Sequence, residues 1–78
     1  MKLEIISPDK KIYEGEAKYV GVPELDGSLG ILDNHAPLIT TLTKGAIKLR
    51  KEDGSEEEIE VEGGVIEVLN NRVIILAE

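Results

Sequence analysis

The sequence predicts an all-β fold, a flattened β-sandwich or barrel of about nine to ten short strands in two sheets. Three observations carry that reading. Apolar residues recur with a period of two rather than 3.6, and turn residues separate short runs of them at regular spacing. Ile and Val, which favour strands, dominate the runs. No window supports a helix of three turns, because Glu and Lys mostly alternate with apolar residues and so fall on a solvated face.

In chain order the predicted strands are Lys2–Ser7, Lys11–Tyr13, Ala17–Val22, Ser28–Leu32, Leu38–Leu42, Ala46–Lys51, Glu57–Val61, Val65–Leu69 and Arg72–Ala77. Ser7-Pro8-Asp9 and Glu14-Gly15-Glu16 punctuate the first three. Pro23–Gly27 and Asp33–Pro37 flank the fourth, and Lys44-Gly45, Asp53–Ser55, Gly63-Gly64 and Asn70-Asn71 separate the rest.

Register arithmetic refines two hairpins. A two-residue Asp53-Gly54 loop would set Leu49 opposite Glu58 and Ile47 opposite Glu60, mixing core and charge on one face. An odd loop of Asp53, Gly54 and Ser55 sets Leu49 opposite Ile59 and Ile47 opposite Val61, with Lys48 meeting Glu60 and Arg50 meeting Glu58. That register is preferred. A two-residue Asn70-Asn71 loop pairs Val68 with Val73 and Ile66 with Ile75, and Asn tolerates the positive φ such a turn needs. The opposite face of this last hairpin carries Val65, Glu67, Leu69, Arg72, Ile74 and Leu76, too apolar for a freely solvated surface. Either the domain's own second layer or loop covers it, the preferred expectation, or another protein does.

Composition bounds the function. The 78 residues make one domain, residues 1–78, and 9 Lys+Arg against 16 Asp+Glu give a net charge of -7. An acidic chain is a poor match for nucleic acid, whose phosphates are held by Lys and Arg, or for an anionic membrane surface. There is no cysteine and one histidine, so no disulfide framework, thiolate nucleophile or multi-histidine metal site can be built within the chain. The longest apolar run, Val73–Ala77, falls far short of the roughly 20 residues that span a bilayer, and Glu4 interrupts any signal-peptide core. A cytosolic domain without direct bilayer insertion is expected.

No catalytic residue, cofactor-binding residue or metal ligand is assigned. Asp26-Gly27-Ser28-Leu29-Gly30 has two glycines but no following helix to present amides to a phosphate, and those glycines read as devices for bending a strand. In Asp33-Asn34-His35-Ala36-Pro37, Pro37 extends Ala36, and Asp33 and Asn34 can close a turn onto their own backbone. His35 there braces the loop, with a contact at an interface as the rival reading.

At these residues the chain resembles a known family, the amino-terminal β-sandwich domain of the epsilon subunit of F-type ATP synthase, called delta in mitochondria. The matching stretches are Leu3–Ser7 with Pro8, Tyr13-Glu14-Gly15-Glu16, Val20–Val22, Gly27 with Leu29-Gly30-Ile31-Leu32, His35-Ala36-Pro37-Leu38, Thr40–Leu42, Gly45, Gly63-Gly64, Glu67-Val68 and Val73–Ala77. The resemblance is collinear, and the Leu-Gly-Ile-Leu and His-Ala-Pro-Leu segments are its specific part.

The resemblance implies two packed five-stranded sheets and a non-catalytic place on the rotating central stalk, coupling proton translocation to ATP synthesis. The implied partners are the gamma subunit and the c-ring, at the cytoplasmic face of the bacterial inner membrane. By position, the c-ring side would be Glu24, Leu25, Asp26, Gly27, Ser28, Asn34 and His35, and the gamma side Ser7, Thr40, Leu69 and Ile74. Many members continue into a two-helix domain that inhibits ATP hydrolysis and in some binds ATP. This chain stops before it, so a short form is expected and neither inhibition nor nucleotide binding is carried over. Asp33-Asn34 stand where Pro-Gly is common, Val65 where Phe is common, and Ser28 where an acid is common. The lack of Phe and Trp also fits a stabilised or designed version. A β-sandwich carrier or protein-binding module of another complex is the alternative, with Lys10 as the side chain a carrier would modify.

Overall fold

The computed structural model describes residues 1–78. Eight strands form: β1 (Lys2–Ile6), β2 (Lys11–Glu24), β3 (Gly27–Leu32), β4 (Leu38–Leu42), β5 (Gly45–Lys51), β6 (Glu56–Val61), β7 (Gly64–Leu69) and β8 (Arg72–Ala77). The first layer runs β4-β7-β8-β1-β2, with β1 and β8 parallel and the other pairs antiparallel. The second runs β3-β2-β5-β6, all antiparallel. The five strands implied for the second layer are therefore four. β4 pairs with β7 and reaches the second layer only after its end, where the Thr43 N–H donates to the Pro23 carbonyl at 3.1 Å.

Eight strands replace the expected nine because Glu14-Gly15-Glu16 does not break the chain. Gly15 pairs with Leu3 inside β2, flanked by the outward carboxylates of Glu14 and Glu16. Its missing side chain leaves room for Tyr13, whose hydroxyl would lie 3.1 Å from a Cβ placed there. The merged β2 belongs to both layers. Fourteen extended residues would span roughly 46 Å, whereas the molecule is 27 Å along its longest axis, so β2 bends. It bends at Lys18, where the pairing with β5 slips by one residue. Burial accordingly switches from Ala17 to Val20 and Val22.

The inward residues of both layers meet in one core. Leu3, Ile5, Ile66, Val68, Val73 and Ile75 come from the first layer, and Val20, Val22, Ile31, Ile47 and Leu49 from the second, all at most 2% exposed. Each such side chain contributes roughly 1.5–3 kcal/mol, against about 0.2–1 kcal/mol for a cross-strand pair. Burial therefore sets register and pairing follows.

The Asn70-Asn71 hairpin has the expected register, Val68 opposite Val73 and Ile66 opposite Ile75, with φ of 52° and 58° at its two turn residues. The β5–β6 loop is odd as expected but shifted by one residue. Ile47 faces Ile59, Lys48 faces Glu58, and the loop is Glu52-Asp53-Gly54, closed by Gly54 N–H to Lys51 O and Lys51 N–H to Ser55 O. Gly54 sits at φ +88°, the left-handed position that ends a type I turn in a three-residue hairpin. Leu49 then faces Glu57, tolerable because Glu57 lies at the layer's rim and meets Lys51 Nζ at 2.6 Å.

The glycines of β3 separate in role. Gly27 has φ +125° and closes the β2–β3 turn. Gly30 is not a bend. It pairs with Gly21, and together they form the floor under Tyr19, whose ring would lie 3.1 Å from a Cβ on either glycine and whose hydroxyl would lie 2.6 Å from one on Gly21.

Candidate partner-binding face

The face of the first layer that turns away from the core is the candidate site. Its composition follows from the registers. Across one row stand Thr41, Val65, Leu76 and Ile6, and across the next Ile39, Glu67, Ile74 and Glu4. A third row continues Leu69, Arg72 and Lys2. No strand or loop of the chain covers the β4-β7-β8 part. Ile39 is 70% exposed, Leu76 53%, Leu69 49% and Val65 37%. The preferred expectation of an internal cover is thus corrected: the second layer packs on the inward side of these strands, and period two leaves their other side open.

The β1-β2 part of the same face is polar and ion-paired. Lys11 Nζ lies 3.0 Å from Glu14 and 3.4 Å from Glu4. The hydrogen bond it donates to Glu14 holds the Lys11 ammonium above its ordinary pKa, and the same bond holds the Glu14 carboxyl below the usual carboxylate range. The face therefore divides into a paired polar half and an open apolar half.

The gamma-side residues carried over by resemblance fall in three places. Leu69 and Ile74 stand together on the apolar half. Thr40 faces the other way, paired with buried Ile66 on the inward side of β4. Ser7 lies in the β1–β2 turn, where its hydroxyl donates to Asp9 Oδ1 at 2.8 Å and lowers that carboxyl's pKa. Sequence reasoning missed Ile39. The signal was present, since β4 carries apolar residues in both phases, Leu38 and Leu42 in one and Ile39 in the other.

The c-ring-side residues lie along β3. Glu24 ends β2, the exposed Leu25 and Asp26 form the turn, and Gly27 and Ser28 begin β3. Asn34 and His35 follow its other end, roughly 20 Å away at strand rise. They form one sheet edge, not one loop cluster. The Asp33–Pro37 loop is held from outside rather than by its own turn: the Asn34 N–H donates to Asn71 Oδ1 at 2.7 Å, and Asp33 accepts from the Met1 amino group. His35 is half-buried, and its Nδ1 meets the Ala36 carbonyl at 2.8 Å, a bracing contact within the loop.

Lys10 closes the β1–β2 turn, its carbonyl accepting from the Ser7 N–H at 2.8 Å. No group of three or more His, Cys, Asp or Glu side chains is placed to hold a metal ion.

Comparison with known proteins matches residues 1–78 to the family described as ATP synthase, Delta/Epsilon chain, beta-sandwich domain. The "ATP synthase epsilon chain" of Dichelobacter nodosus is 49% identical over 74 residues, 95% of this chain but 52% of that protein's length, so the chain spans about half of that relative. Among solved structures, a subunit of the Euglena gracilis mitochondrial ATP synthase superposes with a TM-score of 0.90 at 21% identity, covering 96% of this chain and 48% of that one. A chain of the Tetrahymena thermophila mitochondrial ATP synthase central stalk and c-ring gives 0.84 at 18%, covering 99% and 62%. At those identities the likeness is one of fold.

Proposed function

The chain belongs to the ATP synthase delta/epsilon β-sandwich family, and from that premise we propose that it is a non-catalytic rotor domain that grips the gamma subunit and rests on the c-ring. It would act peripherally at the cytoplasmic face of the bacterial inner membrane, coupling proton translocation to ATP synthesis by shape and stiffness. The observation that carries this reading is the open apolar face of β4, β7 and β8, where Leu69 and Ile74 would meet gamma with Ile39, Val65 and Leu76 beside them. Thr40, on the inward side of β4, and Ser7, in the β1–β2 turn, are not part of that face.

The c-ring contact is assigned to the β3 edge, with Glu24, Leu25, Asp26, Gly27 and Ser28 as one footing and Asn34 and His35 as the other. Glu24 and Asp26 would favour basic loops on the ring, a charge match that sets encounter and register more than affinity. The fold supports coupling between the two contacts. β2 is a member of both layers and ends at the Leu25 turn, so a load taken by the first layer reaches the β3 edge through one covalent strand and a close-packed core.

Co-purification tests the proposal. The chain should retain the gamma subunit at low salt and form a ternary complex when purified c-ring is added. Failure to bind either one removes the proposal.

A further inference from the structure

Glu67 is the feature of the apolar face that apolar contact does not explain. It projects from the middle of β7 with Ile39 opposite on one side and Ile74 opposite on the other, and Val65 and Leu69 two residues before and after it in the same phase. It is exposed and makes no hydrogen bond or ion pair, while the other carboxylates of these strands' outer side all have a cation near. Glu4 and Glu14 share Lys11, and Glu16 lies 3.8 Å from the Met1 amino group. Arg72, diagonal to Glu67 across the β7–β8 pair, does not reach it. Shallow depressions flank Glu67 on both sides, one toward Pro37 and Ile39, the other toward Arg72 and Ile74.

A partner that covers the apolar ring must strip water from this carboxylate. Burying a charge without a counter-charge opposes association strongly. A cover that leaves Arg72 in its place beyond reach of Glu67 therefore has to bring a cation to the centre of its own apolar patch. A second copy of this chain is a poor match, because each copy carries a net charge of -7 and a twofold axis through this row would bring the two Glu67 carboxylates toward each other.

We propose that Glu67 is the specificity determinant of the face, and that the surface it accepts presents one Lys or Arg side chain framed by apolar residues. Arg suits it best, since its planar fork can hold both carboxylate oxygens. The inference rests on the reading that this face takes the gamma subunit, and it supplies the chemistry of the gamma surface.

The test is titration calorimetry of the chain against the gamma subunit, using wild type, Glu67→Gln, Glu67→Lys, Glu67→Asp and Leu69→Ser. Thermal unfolding checks that each variant is folded, which the exposure of both positions favours. Glu67→Gln should weaken binding at least about tenfold, Glu67→Lys more, and Glu67→Asp less than either. If Leu69→Ser weakens binding and Glu67→Gln does not, the inference fails and the gamma reading stands. If wild type does not bind gamma, both fall.

Discussion

Replacing Gly64 by alanine should cost far more than replacing its neighbour Gly63, although the sequence alone gives no reason to separate them. Both have positive φ, +148° at Gly64 and +147° at Gly63, so either alanine carries backbone strain of about 1–3 kcal/mol. A Cβ on Gly63 would meet Glu78 Oε1 at 3.1 Å and the Leu42 carbonyl at 3.4 Å. The carboxylate end of Glu78 can swing away, so the strain is most of the cost. A Cβ on Gly64 would stand 2.2 Å from the Leu76 carbonyl oxygen and 3.2 Å from the Ala77 Cα. That is backbone, and the β8 main chain must move. The displacement disturbs the pairing of Gly64 with Ala77 and Val65 with Leu76, which adds one or two hydrogen bonds at about 1 kcal/mol each. Gly64→Ala should lose about 2–5 kcal/mol. A domain of this length holds roughly 4–12 kcal/mol in total at 0.05–0.15 kcal/mol per residue. Urea denaturation gives the free energies directly. By thermal unfolding, at about 4–8 °C per kcal/mol, Gly64→Ala should melt at least about 8 °C below wild type and Gly63→Ala well above Gly64→Ala. Equal losses from the two variants would show that the approach of Gly64 to β8 is wrong. The phase that sends Val65 outward and Ile66 inward would then be wrong with it.

Two further perturbations separate residues that look alike. Asn70→Gly should leave stability unchanged or raise it slightly, because only the positive φ matters there, whereas Asn71→Gly should lose about 1 kcal/mol by removing the acceptor for the Asn34 N–H. Urea denaturation of both variants checks this, and equal effects would refute the tie between the two loops. Acid should destabilise the domain through Asp9, Glu14 and Asp53, held below the usual carboxylate range by hydrogen bonds from Ser7, Lys11 and Ser55 respectively. Their folded pKa values lie below the unfolded ones, so their contribution is present above the ordinary carboxylate range and is lost as pH falls through the lowered values. All three are exposed, so the slope is shallow, and the combined variant Asp9→Asn, Glu14→Gln, Asp53→Asn should flatten the urea midpoint below about pH 4. An unchanged acid limb would remove these groups as its cause.

Local signals carried most of the strand assignment. The Asn70-Asn71 turn could be placed to the residue because both phases of its strands agree and only a two-residue loop satisfies them. The Asp53 loop kept its parity but not its position, since parity comes from burial whereas position depends on where Gly54 can take positive φ. Gly15 and Gly30 misled for a common reason. A glycine that makes room for a ring on its own strand or the next one is indistinguishable, in sequence, from one that turns the chain. The parallel β1–β8 pair and the placing of β4 beside β7 were beyond reach, because those contacts join distant segments with no local signature. The inward phase of Thr40 followed from that same pairing, and so did the position of Ile39 beside Glu67.

An open apolar face on a small domain invites self-association, and the distribution of charge bears on how this chain resists it. The edge strand β6 carries Glu56, Glu57, Glu58 and Glu60, which oppose pairing with another edge. The edge strand of the first layer, β4, has no charged residue at all, and it carries part of the apolar face. Protection there has to come from the next strand, and Glu67 is the charge that stands in it. On the proposal made for Glu67, the charge that opposes self-association through this face is also the one that a partner would have to neutralise. Solubility of the free domain and selectivity of the docked one then have the same physical origin, and a substitution that removes the first should relax the second.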